Sequence, residues 1–167
     1  MPLILTQNEV TVSDAHDWKD IEGVQYHYPT KYRNKIKEGE RFIYYQGVNR
    51  ANGKKGEAHY FGTGTIGEIW QDPDPDRQAG GKIAWFCKIE DYDRFSSPVL
   101  AKINGENREK GPKNLFRDGV RLADPTIFES ILVDAGLTVG NELDDASVAG
   151  PEEAQVIKAS NLLVRTK

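Results

Sequence analysis

The chain has 167 residues, 38% hydrophobic and 29% charged, the ordinary mixture of one folded domain long enough to bury a core. No apolar run approaches the roughly 18 residues of a membrane span, and the composition excludes a wholly disordered polypeptide. The formal net charge of -4 argues against a broadly basic nucleic-acid binder, so any such activity must rest on where the charges sit.

Taken in order, Leu3 to Leu5 reads as a short apolar strand. The start lacks a basic n-region, so no signal peptide is expected there. Ser13 opens a small helical segment with Asp14 and Asp17 near its N-terminus and Trp18 within it. Gly23 breaks that pattern. Residues 32–37 predict a short surface helix between Pro29 and Gly39, with Ile36 as its one strongly apolar position and its basic residues facing out. RFIYYQ, residues 41–46, is a strand with Phe42 and Tyr44 on one face and Ile43 and Tyr45 on the other. Residues 47–57 predict an exposed, mobile loop, and residues 60–70 the returning strand. Gly62, Gly64 and Gly67 weaken that strand unless something approaches its backbone closely or the sheet bends sharply. The alternating prolines of DPDPD (72–76) predict a stiff surface loop. Residues 82–90 are expected to form an apolar strand, continued by another over residues 91–103 with Pro98 near its start. A polar basic loop spans 105–113, residues 121–123 are extended, and residues 125–135 form a helix capped by Asp124 and stopped by Gly136. From 138 onward the composition turns acidic and poor in aromatics. The expected organisation is therefore a domain over 1–137 and an acidic linker with a terminal segment over 138–167. The fold class expected is α+β: a small curved β-barrel of about five or six strands with short helices at its rim.

No pair among His16, His27 and His59 has metal-ligand spacing, and there is no HExxH or GxSxG motif. FGTGTIG matches the GxGxxG spacing but lies in a β-rich stretch with no helix pattern after it, so it does not predict a nucleotide site. The lone Cys87, in the apolar run IAWFCKI, excludes an internal disulfide and a cysteine zinc cluster and reads as a buried thiol. No metal, cofactor or catalytic residue is expected, and a cytoplasmic location is. What stands out is the stretch 23–45, which holds five tyrosines among basic residues. From Lys31 to Lys55 there are eight basic residues against Glu38 and Glu40. A surface that grips phosphates and stacks on a base needs both cations and rings. The predicted phosphate-binding set is Lys31, Arg33, Asn34, Lys35, Lys37, Arg50, Lys54 and Lys55. The predicted base pocket is Trp18, Tyr26, His27, Tyr28 and Tyr45, faced by Trp85, Asp91 and Tyr92, with Asp91 as an acceptor for an exocyclic amine. Core packing is the competing reading for most of these rings, and a strand-end turn the competing reading for Asp91.

The order of short motifs resembles the EVE domains, members of the PUA-like superfamily that includes YTH, ASCH and SRA modules. The resemblance is carried by Trp18, Gly23-Val24, the segment 26–34, Gly39-Glu40, Tyr44-Tyr45, GTGTIGEI, the stretch 85–99, Arg121-Leu122 and the segment 128–132, and covers about residues 3 to 136. YHYP stands where the EVE pattern has an Arg-Asn-Tyr type of segment. With YYQG it looks more like the EVE-like domains fused to HNH nucleases in modification-dependent restriction. The resemblance implies a non-catalytic, base-flipping reader of a modified cytosine, in DNA rather than RNA, with a nuclease domain or subunit as partner. The alternatives are an RNA-binding module acting in RNA modification and a small-ligand barrel or enzyme.

Overall fold

A computed structural model describes residues 1–7, 19–50, 53–74 and 83–137. The helical segment expected from Ser13, Trp18 with it, and the linker expected from 138 all lie outside the described residues. The chain divides into two compact units, Met1–Ile127 and Phe128–Lys167.

The first unit is mostly sheet, curled into a six-stranded half-barrel. Its strands are β1 (Leu3–Thr6), β2 (Gln25–Pro29), β3 (Arg41–Gln46), β4 (His59–Gln71), β5 (Ala84–Leu100) and β8 (Val120–Leu122), in the order β2-β5-β4-β3-β1-β8. A separate hairpin joins β6 (Lys102–Ile103) to β7 (Glu106–Asn107). β1 runs parallel to β3, and every other pairing is antiparallel. One helix, α1 (Pro125–Asp134), follows β8. Its cap is the expected one: the Asp124 carboxylate accepts from the Thr126 N–H at 2.8 Å. Among the described residues no helix is long and apolar enough to cross a membrane.

The pleat of β2, β3 and β5 sorts side chains onto two faces, and both are buried. The inner face of the curl collects Leu3, Leu5, Tyr26, Tyr28, Phe42, Tyr44, Phe61, Cys87 and Ile89 in one cluster. The outer face carries Ile4, Ile43, Tyr45, Tyr60, His27 and Phe86, also buried.

Several expectations need correction. Residues 84–100 are one strand rather than two successive ones: β5 continues past Glu90 to Leu100. Its second half pairs only with β4, since β2 reaches no further than Lys88, and that open edge is where Pro98, which has no N–H, is tolerated. Residues 32–37 are not a helix. A 3-10 turn at Thr30–Tyr32 is followed by further turns, and Ile36 is 2% exposed and part of the inner core rather than the surface. This segment closes the curl. Tyr26 Oη donates to the Thr6 carbonyl at 3.0 Å, Gly119 N–H donates to Tyr32 Oη at 2.8 Å, and Lys35 Nζ donates to the Val120 carbonyl at 3.1 Å. Those bonds tie the β2 end of the sheet to the β1–β8 end, where backbone pairing alone leaves a gap. Asp72 is buried, not part of a surface loop.

The glycines of β4 are explained by close approach. A Cβ at Gly62 would lie 2.7 Å from the Tyr92 ring and hydroxyl, and one at Gly64 would lie 2.9 Å from the Glu90 carbonyl and the Phe42 ring. Three register shifts between β4 and β5 bend the sheet over the same stretch.

Candidate functional site

The described members of the predicted base pocket divide between the two faces. Tyr26, Tyr28 and Trp85 lie on the inner face, where Tyr26 pairs across from Cys87 and Tyr28 from Trp85. The Tyr26 and Tyr28 rings stack at 6.2 Å. Tyr92 packs on the same cluster, edge-on to Tyr44 with ring centroids 5.4 Å apart. Its ring is clamped: a Cβ on Gly23 would lie 2.6 Å from it, and one on Gly62 2.7 Å from its other edge. The Tyr92 hydroxyl and Arg94 both donate to the Glu22 carboxylate.

His27 and Tyr45 lie on the outer face and are fully engaged there. The His27 ring stacks on Phe86 at 4.2 Å, and Phe86 on Trp70 at 5.3 Å. Lys19 N–H donates to His27 Nδ1 at 3.0 Å, which leaves the ring proton on Nε2, donated to the Asp72 carboxylate at 2.8 Å. Tyr45 covers a second buried polar group. Arg121, 2% exposed, lies with its guanidinium 4.6 Å from the Tyr45 ring centre and 4.8 Å from that of Phe116. It forms a two-pronged pair with Glu109 at 2.8 and 2.9 Å, and the Tyr60 hydroxyl completes the carboxylate at 2.6 Å. The sequence reading placed neither Glu109 nor Tyr60 with Arg121. Asp91 is exposed on a bulge inside β5, with φ of 54°, not at a strand end.

Three buried side-chain polar atoms have no hydrogen-bond partner among the described residues: Gln7 Oε1, Gln46 Nε2 and, on the inner face, the Tyr28 hydroxyl. The Tyr28 hydroxyl is buried, with the residue 1% exposed, and has no hydrogen-bond partner among the described residues. Burial first, then the neighbouring Cys87, push that hydroxyl well above its usual range, against the pull of the Arg33 charge. Asp20, half-buried just before β2, accepts from the His27 N–H at 2.7 Å. Desolvation raises its carboxyl from 3.8 to about 7, against that hydrogen bond. Its charge reaches the Tyr26 and Tyr44 hydroxyls and the Cys87 thiol, each already raised by burial. Asp20 thus acts through its charge on the inner-face groups Tyr26, Tyr44 and Cys87. Its sequence signal is an acid between Trp18 and the Gly23-Val24 break.

The predicted phosphate-binding set also divides. Arg33 lies over the Trp85 ring at 4.6 Å, and Lys31 and Lys35 over Tyr32 at 5.0 and 5.5 Å. Lys31, Arg33, Asn34 and Lys37 are exposed. Arg50 is turned into its own loop, donating to the Gly47 carbonyl and, at 2.7 Å, to that of Glu57. Lys55 Nζ donates to Asn49 Oδ1 at 2.7 Å, and Lys54 is exposed in the same loop. The described part of that loop is thus stapled by its own side chains. Among the described residues, no group of three or more His, Cys, Asp or Glu side chains comes together to hold a metal ion.

No protein family, curated protein or solved structure matches this chain.

Proposed function

We propose that the chain is a non-catalytic reader of a modified cytosine in DNA, with the base flipped out of the helix and held on the inner face of the curled sheet. The observation that carries this reading is the Tyr28 hydroxyl. A buried hydroxyl without a partner costs about 1–3 kcal/mol, and native folds avoid it where nothing else supplies the bond. A base inserted on this face brings a flat ring for Tyr28, Trp85 and Tyr92 and polar edge atoms for that hydroxyl. Asp20 supports the choice of cytosine. A carboxyl that changes protonation near neutral pH can donate to a ring nitrogen or accept from an exocyclic amine, and the cytosine edge offers both. The exposed Lys31, Arg33 and Lys37 at the closing turn then meet the flanking phosphates. A nuclease fused to or associated with such a reader would perform the cleavage.

The test compares 20-base-pair duplexes with and without one 5-methylcytosine at a single salt concentration. The wild type binds the methylated duplex about tenfold more tightly, a difference of about 1.4 kcal/mol. Tyr28→Phe removes most of that preference. Equal affinity of the wild type for both duplexes would sink the modified-base reading, and tighter binding to RNA of the same sequence would move the function to RNA.

A further inference from the structure

Every residue of the β6–β7 hairpin is exposed: Lys102, Ile103, Asn104, Gly105, Glu106 and Asn107. Each strand is two residues long. The turn residues Asn104 and Gly105 both take left-handed backbone, φ 53° and 80°, as a tight two-residue hairpin turn requires. So short a ribbon does not hold together alone in water. The fold invests in its root instead. Ala101 N–H donates to the Ala58 carbonyl, and Arg108 donates through its backbone N–H to Ala101 and through Nε to Leu100, each at 2.9 Å. Two residues past β7, Glu109 enters the outer face and is locked by Arg121 and Tyr60. A buried ion pair fixes geometry more than it stabilises. Here it fixes the base of a projecting ribbon.

We propose that this hairpin is a second contact to DNA, entering the major groove of the duplex that flanks the bound base. The proposal rests on the nucleic-acid reading above. A two-stranded ribbon is a shape the major groove admits. Two residues and a turn project about 10 Å, close to the groove depth of about 8.5 Å. The charge fits: Lys102, Lys113 and Arg117 are exposed on and after the ribbon in the chain, Lys110 pairs at 3.6 Å with Glu106, the exposed acid of residues 102–117, and Glu109 is neutralised inside by Arg121. Ile103 at the tip, 47% exposed, offers an apolar contact to a thymine methyl. From Tyr92 to Leu100, β5 extends about 26 Å, so ribbon and base site reach one duplex within a helical turn of about 34 Å.

The experiment uses the full chain and measures binding to methylated duplex, unmodified duplex and a single strand of the same sequence, over a range of salt. The double variant Lys102→Gln/Lys110→Gln weakens binding to both duplexes about tenfold and lowers the salt slope by about 2. It leaves the methylated-to-unmodified ratio and single-strand binding unchanged. Ile103→Ala costs about two- to fivefold on duplex only. Duplex binding equal to wild type in both variants, or an equal loss on the single strand, overturns the proposal. If the variants lose duplex affinity while the wild type does not distinguish methylated from unmodified DNA, the base-reading proposal fails and the ribbon stands.

Discussion

His27 and Tyr28 are neighbours on one strand, yet their polar atoms have opposite conditions. His27 points to the outer face, where Asp72 and the Lys19 N–H satisfy both ring nitrogens. The Arg121–Glu109–Tyr60 group on the same face is equally complete. Tyr28 points to the inner face, and its hydroxyl is left without a partner among the described residues. Saturated buried networks hold a fold together. Under-satisfied ones cost stability and are kept where a ligand completes them. The comparison therefore separates structural from binding polarity on one sheet, which a list of aromatic residues cannot do.

The largest expected effect tests the outer face. Arg121→Ala strands the Glu109 carboxylate in the core, and urea denaturation should show a loss of about 3–5 kcal/mol. A loss below about 1 kcal/mol would mean that water reaches Glu109 and that the outer network is not closed.

Asp20 comes next, through its pH dependence. Its folded pKa lies above its ordinary value, so the folded state holds the proton more tightly than the unfolded chain. Stability should be fully present below about pH 4 and fall as pH rises through about 7, by at most about 4 kcal/mol. Asp20→Asn should flatten that slope in denaturation series taken between pH 4 and 8. An unchanged slope would place Asp20 in open solvent.

The smallest effect is the most telling, because it opposes two tyrosines. Tyr60→Phe removes a bond to a buried carboxylate and should cost about 1.5–3 kcal/mol. Tyr28→Phe removes a hydroxyl with no partner among the described residues and should leave stability unchanged or raise it by about 1 kcal/mol. Equal losses from the two substitutions would erase the distinction between the faces.

Much of the fold was legible residue by residue. The alternation of Phe42, Ile43, Tyr44 and Tyr45, the Asp124 cap and the buried Cys87 follow from period, capping chemistry and hydropathy, all local properties. So did the demand that something approach Gly62 and Gly64, although not that Tyr92 and Glu90 would be the neighbours. Ile36 was misread because a lone apolar residue among charges looks exposed until the chain turns it inward. Asp72 was misread because alternating prolines say nothing of a histidine 45 residues earlier.

The sequence alone determined a curved, glycine-relieved β domain with an aromatic and basic stretch at residues 23–45, because strand alternation and composition are written locally. Only the tertiary structure decided which of those rings share a face. It set His27 against Tyr28, bonded Asp20 to the His27 N–H and joined Arg121 to Glu109 and Tyr60. The pleat sends each successive side chain to the opposite face, and long-range pairing alone determines what waits there.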